Sequence, residues 1–224
     1  MLIPAFSVGR TQLMLYHLKK LIQDGSIPDV PVYIDSPMAI SATALHKRHF
    51  EYHKLDEFDL ENHHSVFDFK NFRYKSAQEE SMQLNNLKNN SIIISASGMC
   101  TGGRIMHHLY NRLKNENDTV LFVGYQAEGT RGRRILEGEP SVKIFGYDIE
   151  VKCHVERIEG LSAHADKTEL LTWLDQFNDS PKMTFVVHGE AAASKEFANT
   201  IIDNYGWNVT VPTYNESHEL FRGI

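Results

Sequence analysis

The feature that most constrains this chain is a pattern written three times: a short aliphatic run, a polar or glycine-rich turn, then a segment with helical spacing of apolar residues. Val30-Pro31-Val32-Tyr33-Ile34 ends at Asp35-Ser36-Pro37, and a helix is expected from Ala39 to His53. Ser91 to Ala96 leads into Ser97-Gly98-Met99-Cys100-Thr101-Gly102-Gly103-Arg104 and then a helix over Ile105 to Leu113. Thr119 to Gly124 leads into Gln126-Ala127-Glu128-Gly129-Thr130-Arg131-Gly132-Arg133. Runs this short and continuously apolar suit strands buried on both faces. Their alternation with helices predicts an α/β fold, a parallel sheet flanked by helices. Loops that follow the C-terminal ends of such strands gather on one edge, where ligands bind. Asp35-Ser36, Ser95 to Gly98 and Gly124 to Gln126 are therefore expected to line one crevice.

The flanking segments extend the pattern. Met1 to Arg10 reads as a strand end and a glycine turn, and apolar residues at 14, 15, 18, 21 and 22 predict a helix stopped near Gly25. Ser76 to Asn89 has helical texture, whereas residues 56–75 have no clear period. From Pro140 the texture changes. Val142 to Val155 alternates like a hairpin turning near Gly146 to Asp148. A helix over Lys167 to Phe177, a strand over Met183 to Val187, a helix over Ser194 to Tyr205 and a strand over Val209 to Pro212 follow. Two domains, 1–145 and 146–224, are expected.

Composition mainly excludes. The 224 residues are 42% hydrophobic and 23% charged, ordinary for a globular protein with a sizeable core. A net charge of −6 provides no global basic field, so any nucleic-acid site must be local. Cys100 and Cys153 form no CxxC pair, which argues against a thiolate metal site or a disulfide scaffold. No apolar run approaches the roughly 18–20 residues of a membrane helix, and the N-terminus lacks signal-peptide order. The expected location is the cytoplasm.

Two histidines sit where chemistry is usually presented. His164 lies in Gly160-Leu161-Ser162-Ala163-His164-Ala165-Asp166, a loop of small residues just before a helix that Asp166 can cap with Glu169 at its third position. His188 ends the run Thr184 to Val187 and precedes Gly189, a way of presenting a metal ligand that also fits a hydrogen-bonded core histidine. An imidazole can act as acid or base near neutral pH or bind a metal ion. Ser36 and Ser97 each sit where they can cap a following turn or helix. His46, His49 and His53, and the pair His63-His64, read as solvated surface.

Five ordered segments then carry a resemblance: Ile3 to Gln12; Val32 to Ala39; Ser95 to Met99 with Gly102-Gly103-Arg104; Gly124 to Thr130; and the two histidine motifs. The chain resembles the metallo-β-lactamase superfamily in its β-CASP branch of RNA-processing nucleases. The resemblance implies a β-CASP domain followed by the C-terminal part of a metallo-β-lactamase αββα lobe. It implies zinc-dependent hydrolysis of RNA phosphodiester bonds, with His164 as the catalytic proton donor and His188 as a ligand to one of two zinc ions. By the same resemblance Ser36, Ser97, Gly98, Gly102, Arg104, Gln126 and Thr130 face RNA phosphates, and Asp35, Ser162 and Asp166 support or cap. The branch's His-x-His-x-Asp-His signature is not found in this sequence. The chain is therefore expected to be the C-terminal part of such an enzyme, to hold little or no zinc and to be inactive alone. The alternative is a non-catalytic RNA-binding module derived from one. RNA is the expected partner, with a homodimer as a further possibility because a lone half-lobe exposes apolar surface.

Overall fold

A computed structural model describes residues 1–53, 66–88 and 90–220; the pair His63-His64 lies outside the described residues. The chain forms two compact units, Met1–Ser162 and Ala163–Ile224.

The first unit is built on six parallel strands: β1 (Leu2–Pro4), β2 (Val32–Ile34), β3 (Phe72–Tyr74), β4 (Ile92–Ser95), β5 (Thr119–Phe122) and β8 (His154–Arg157). They lie in the order β3-β2-β4-β1-β5-β8. β1 is central, with Leu2 opposite Ile93 on one side and Val120 on the other. Side chains alternate across a strand, and here successive residues feed two separate cores. Leu2, Ile93, Val120 and Phe122 belong to one, and Ile3, Ile92, Ile94, Val32 and Ile34 to the other. That is why the runs are continuously apolar. Burying one such aliphatic side chain contributes roughly 1.5–3 kcal/mol.

Helices cover both faces. On one, α1 (Arg10–Gln23) packs Met14, Leu15 and Leu18, and α2 (Pro37–Arg48) contributes Ala39. On the other lie α3 (Gln78–Leu84), α4 (Ile105–Arg112) and α5 (Arg131–Leu136), with Leu84, Ile105, Met106, Leu109 and Ile135 in the core. The antiparallel hairpin of β6 (Ser141–Ile144) and β7 (Tyr147–Glu150) adds Val142 and Ile144 to that same layer. The α/β expectation of a parallel sheet flanked by helices is met.

Several details differ from the sequence reading. The helix expected to reach His53 ends at Arg48 and is followed by a short 3-10 turn, Phe50–Tyr52. β3 lies in a stretch whose sequence has no clear period, and α5 begins within the glycine-bearing segment Gln126 to Arg133 that reads as a loop. The hairpin expected to run to Val155 stops at Glu150. Lys152 and Cys153 then both donate their backbone N–H to the carbonyl of Leu113, which turns the chain so that β8 pairs with β5. Alternation alone cannot distinguish a longer hairpin arm from a new strand at the open edge of a sheet. The first unit thus takes in residues 146–162, beyond the 145/146 division read from texture.

The second unit holds α6 (Lys167–Leu174), β9 (Thr184–Phe185), α7 (Ala191–Tyr205) and β10 (Val209–Thr210), with β9 and β10 parallel. Leu174, Ile201 and Trp207 are its buried centre. Among the described residues no helix is long and apolar enough to cross a membrane.

Candidate functional site

The loops after β1, β2, β4 and β5 meet at the C-terminal edge of the sheet. Ser36, the N-cap of α2, accepts from the Ala39 N–H at 3.3 Å, and its hydroxyl lies 3.2 Å from that of Ser7 in the loop after β1. Gln12, 2% exposed, ties those loops together: its amide donates to the Ser7 carbonyl (3.2 Å) and to Thr43 Oγ1 (2.8 Å).

Beneath them is a buried polar network centred on Asp35. Its Oδ1 accepts from Arg104 Nη1 at 2.7 Å, and its Oδ2 accepts from Ser81 Oγ at 2.5 Å and pairs with His108 Nε2 at 2.7 Å. His108 Nδ1 meets Asn85 Oδ1 at 2.7 Å. Asp35 and His108 have no solvent exposure. Burial pushes the Asp35 carboxyl up, but the bonds from His108, Ser81 and Arg104 outweigh it and hold it below the usual carboxylate range.

The glycine-rich loop after β4 is folded on itself by Ser97, whose Oγ accepts from the N–H of Thr101 (3.1 Å) and of Gly102 (3.4 Å). Gly103 has φ +81°, and a Cβ there would lie 2.5 Å from the Ala96 carbonyl oxygen, so only glycine fits. The loop after β5 docks on this one. Gln126, 3% exposed, donates to the carbonyl of Gly98 at 3.0 Å, and the Gly132 N–H donates to Met99 O at 3.1 Å. Thr130 caps α5 by accepting from the Arg133 N–H. Arg131 bridges two segments, donating to Cys100 O at 2.6 Å and to Lys143 O at 2.7 Å.

The structure therefore brings Ser36, Ser97, Gly98, Gly102, Arg104, Gln126 and Thr130 to one edge of one unit, with Asp35 below. Two of them sit differently from their reading. The Arg104 guanidinium is engaged by Asp35 and by the carbonyls of Lys75 (2.9 Å) and Ser76 (2.7 Å), an intramolecular ion pair rather than a fork open to phosphate. The Nε2 of Gln126 is spent on backbone carbonyls, while its buried Oε1 has no partner among the described residues. His46 and His53, read as solvated, are half-buried, stacked at 4.9 Å and set edge-on to Phe67. His49 is exposed. His108, the organising histidine, was not singled out in the sequence; its signal was the i, i+4 spacing from Arg104, which puts both on one side of α4.

In the second unit His164 is exposed just before α6, whose N-cap Asp166 and third residue Glu169 bond reciprocally at 2.9 Å. His188 is also exposed and adopts φ +65°, a left-handed backbone that is uncommon outside glycine, though histidine tolerates it better than most side chains. Its neighbours Val187 and Gly189 line a cavity of about 330 Å³ together with Lys167, Leu170, Ser194 and Phe197. Ser162 closes the first unit and is exposed.

Zinc sites need three or four protein donors. Among the described residues no group of three or more His, Cys, Asp or Glu side chains lies close enough to hold a metal ion. Burial pushes the thiols of Cys100 and Cys153 up to about 12 and about 11, away from thiolate ligation. The described donors do not by themselves complete a zinc site.

The Beta-Casp domain model matches residues 11–135, more than half of the chain. The chain belongs to the Beta-Casp family. It is thus a member of the β-CASP branch of metallo-β-lactamase RNA-processing nucleases. A second model, the Zn-dependent metallo-hydrolase RNA specificity domain, matches residues 148–212 and suggests zinc. The transcription termination factor FttA of Methanosarcina mazei is 31% identical over 206 residues, covering 89% of this chain and 32% of that protein. FttA of Thermococcus kodakarensis is 32% identical over 218 residues, 94% of this chain and 33% of its own length. Ribonuclease TTHA0252 of Thermus thermophilus is 35% identical over 195 residues, 84% of this chain and 43% of its own. The chain thus spans about a third of the FttA relatives and less than half of the ribonuclease.

Proposed function

We propose that this chain is the RNA-holding part of a zinc-dependent ribonuclease acting in RNA processing or decay, and that it does not cleave RNA alone. Residues 1–145 are its β-CASP domain and 146–224 the C-terminal part of the metallo-β-lactamase lobe, a division that falls between the two family matches. The observation that carries the reading is the convergence of four loops on one sheet edge of a Beta-Casp chain, where the hydroxyls of Ser7 and Ser36, and of Ser97 and Thr101, pair with each other and can turn to phosphate oxygens, with Gly98 and Gly102 keeping the loop between them free of side chains. Arg104 and Gln126 act there by holding the loops, and Thr130 by capping α5. Asp35 is the anchor beneath, and Ser162 and Asp166 flank and cap the His164 loop.

His164 is the proton donor to the leaving oxygen, and His188 is one zinc ligand, its left-handed backbone presenting the ring. The remaining zinc donors come from outside this sequence. Bound zinc would supply an activated water and offset phosphoryl charge. A cytoplasmic location follows from the same role. A homodimer is supported by exposed apolar residues of the second unit, Trp173 (60%) and Val187 (54%) among them.

The test is RNA binding followed by fluorescence anisotropy across a salt series, with cleavage assayed in parallel. The chain is expected to bind single-stranded RNA, with Ser97→Ala weakening binding about 5-fold, the scale of one lost hydrogen bond. No cleavage is expected with or without added zinc. Absence of RNA binding, or cleavage abolished by a chelator, overturns the reading.

A further inference from the structure

The tip of the β6–β7 hairpin has no role in the site described so far. Ile144 pairs with Tyr147, so the turn consists of Phe145 and Gly146 alone, with φ +53° and +86°. Two-residue turns of this handedness favour Asn-Gly or Asp-Gly, because an ordinary side chain in the first position meets its own backbone. A phenylalanine stands there, 52% exposed, so neither turn geometry nor burial accounts for it.

Phe145 is part of a patch of rings. His107, exposed on α4, lies 4.8 Å from it, and Tyr110 lies 6.0 Å from it. Tyr147, 63% exposed, lies 6.1 Å from Tyr110. The first unit also exposes aliphatic side chains, Met82 and Ile158 among them, but the side chains in ring contact around Phe145 are His107, Tyr110 and, through Tyr110, Tyr147. A cluster of π faces beside an imidazole, continuous with a helix that starts at the glycine-rich loop, suits unstacked bases.

The patch is also fixed to the glycine-rich loop. Residues 97–104 run directly into α4, whose first turn includes the bond from the His107 backbone N–H to the Arg104 carbonyl at 3.0 Å. Arg131 joins the carbonyl of Cys100 in that loop to the carbonyl of Lys143 in β6. Loop, helix and hairpin are therefore tied to one another.

We propose that Phe145, with Tyr147, Tyr110 and His107, is a stacking platform for bases of single-stranded RNA whose backbone lies on the Ser97–Gly103 loop. This rests on the RNA-holding reading above and adds where the bases go. Stacking neutralises no phosphate, so its loss lowers affinity without changing the salt dependence.

The deciding variant is Phe145→Asn in the full chain, with Tyr147→Ser as a second. Asparagine tolerates the left-handed backbone, so Phe145→Asn is expected to raise the unfolding midpoint by about 2–4 °C. The same variant is expected to weaken binding of a labelled 12-nucleotide oligoadenylate by about 5- to 100-fold, the range for one base stack. The salt slope stays at its wild-type value, and binding of the same strand in a duplex changes far less. Equal losses for strand and duplex, or an altered slope, overturn the platform. So does wild-type RNA affinity in both variants, and a shift in oligomeric state with unchanged RNA affinity makes the patch a contact between copies instead. If Ser97→Ala weakens RNA binding while Phe145→Asn does not, only the platform fails. If the unaltered chain binds no RNA, the underlying reading fails with it.

Discussion

Asp35 has no solvent exposure, and its carboxylate engages Arg104, Ser81 and His108 at once. Removing one partner of such a buried network leaves the others uncompensated, at a cost of about 3–5 kcal/mol. Asp35→Asn is expected to lower the unfolding midpoint of the first unit by roughly 10 °C at neutral pH. The folded carboxyl titrates below its ordinary value of about 3.9, so its contribution is fully present above about pH 4. It is lost as the pH falls through the folded value. The difference in midpoint between wild type and Asp35→Asn should therefore hold constant above about pH 4 and shrink as the pH is lowered further; a difference that stays constant on acidification refutes the ionic role. Arg104 belongs to the same account: with its guanidinium bound to Asp35, Arg104→Ala should cost stability more than it changes the salt slope of RNA binding.

At the scale of elements, caps are the most testable features. α6 starts on a reciprocal cap between Asp166 and Glu169, which satisfies two N–H groups that a helix end leaves open. Asp166→Ala should destabilise the second unit by about 1 kcal/mol. Both tryptophans of the chain, Trp173 and Trp207, lie in that unit, so intrinsic fluorescence reports its unfolding. An unchanged fluorescence midpoint would show that the cap is replaced by water at no cost. The hairpin shows the opposite case, an element whose turn residue opposes its geometry at Phe145.

Over the whole molecule, the two units carry separate reporters. Cys100 and Cys153 lie in the first unit, both buried, with Cys100 raised to about 12. At pH 8 such a thiol is about a thousandfold less ionised than a free cysteine. Native labelling by a disulfide reagent should be at least about 100-fold slower than in denaturant; rapid native labelling would mean that the first unit opens readily. Thiol exposure and tryptophan fluorescence thus follow the two units independently.

The α/β class, the parallel strands and the edge where their loops meet were legible in the sequence because each depends on local, repeated information. Continuous apolar runs mark strands buried on both faces, and glycine-rich turns mark their ends. Ser36, Ser97, Gly98 and Gly102 could be placed at that edge for the same reason. The ordered motifs sufficed for the family as well. The sheet order, the entry of β8 beside β5 and the length of the hairpin were decided only by tertiary structure, because an alternating segment fits either partner equally well. The same holds for Arg104, Gln126 and His108. A side chain's partner depends on what lies opposite it in space, and Asp35, 69 residues from Arg104 and 73 from His108, is not visible from either in the sequence.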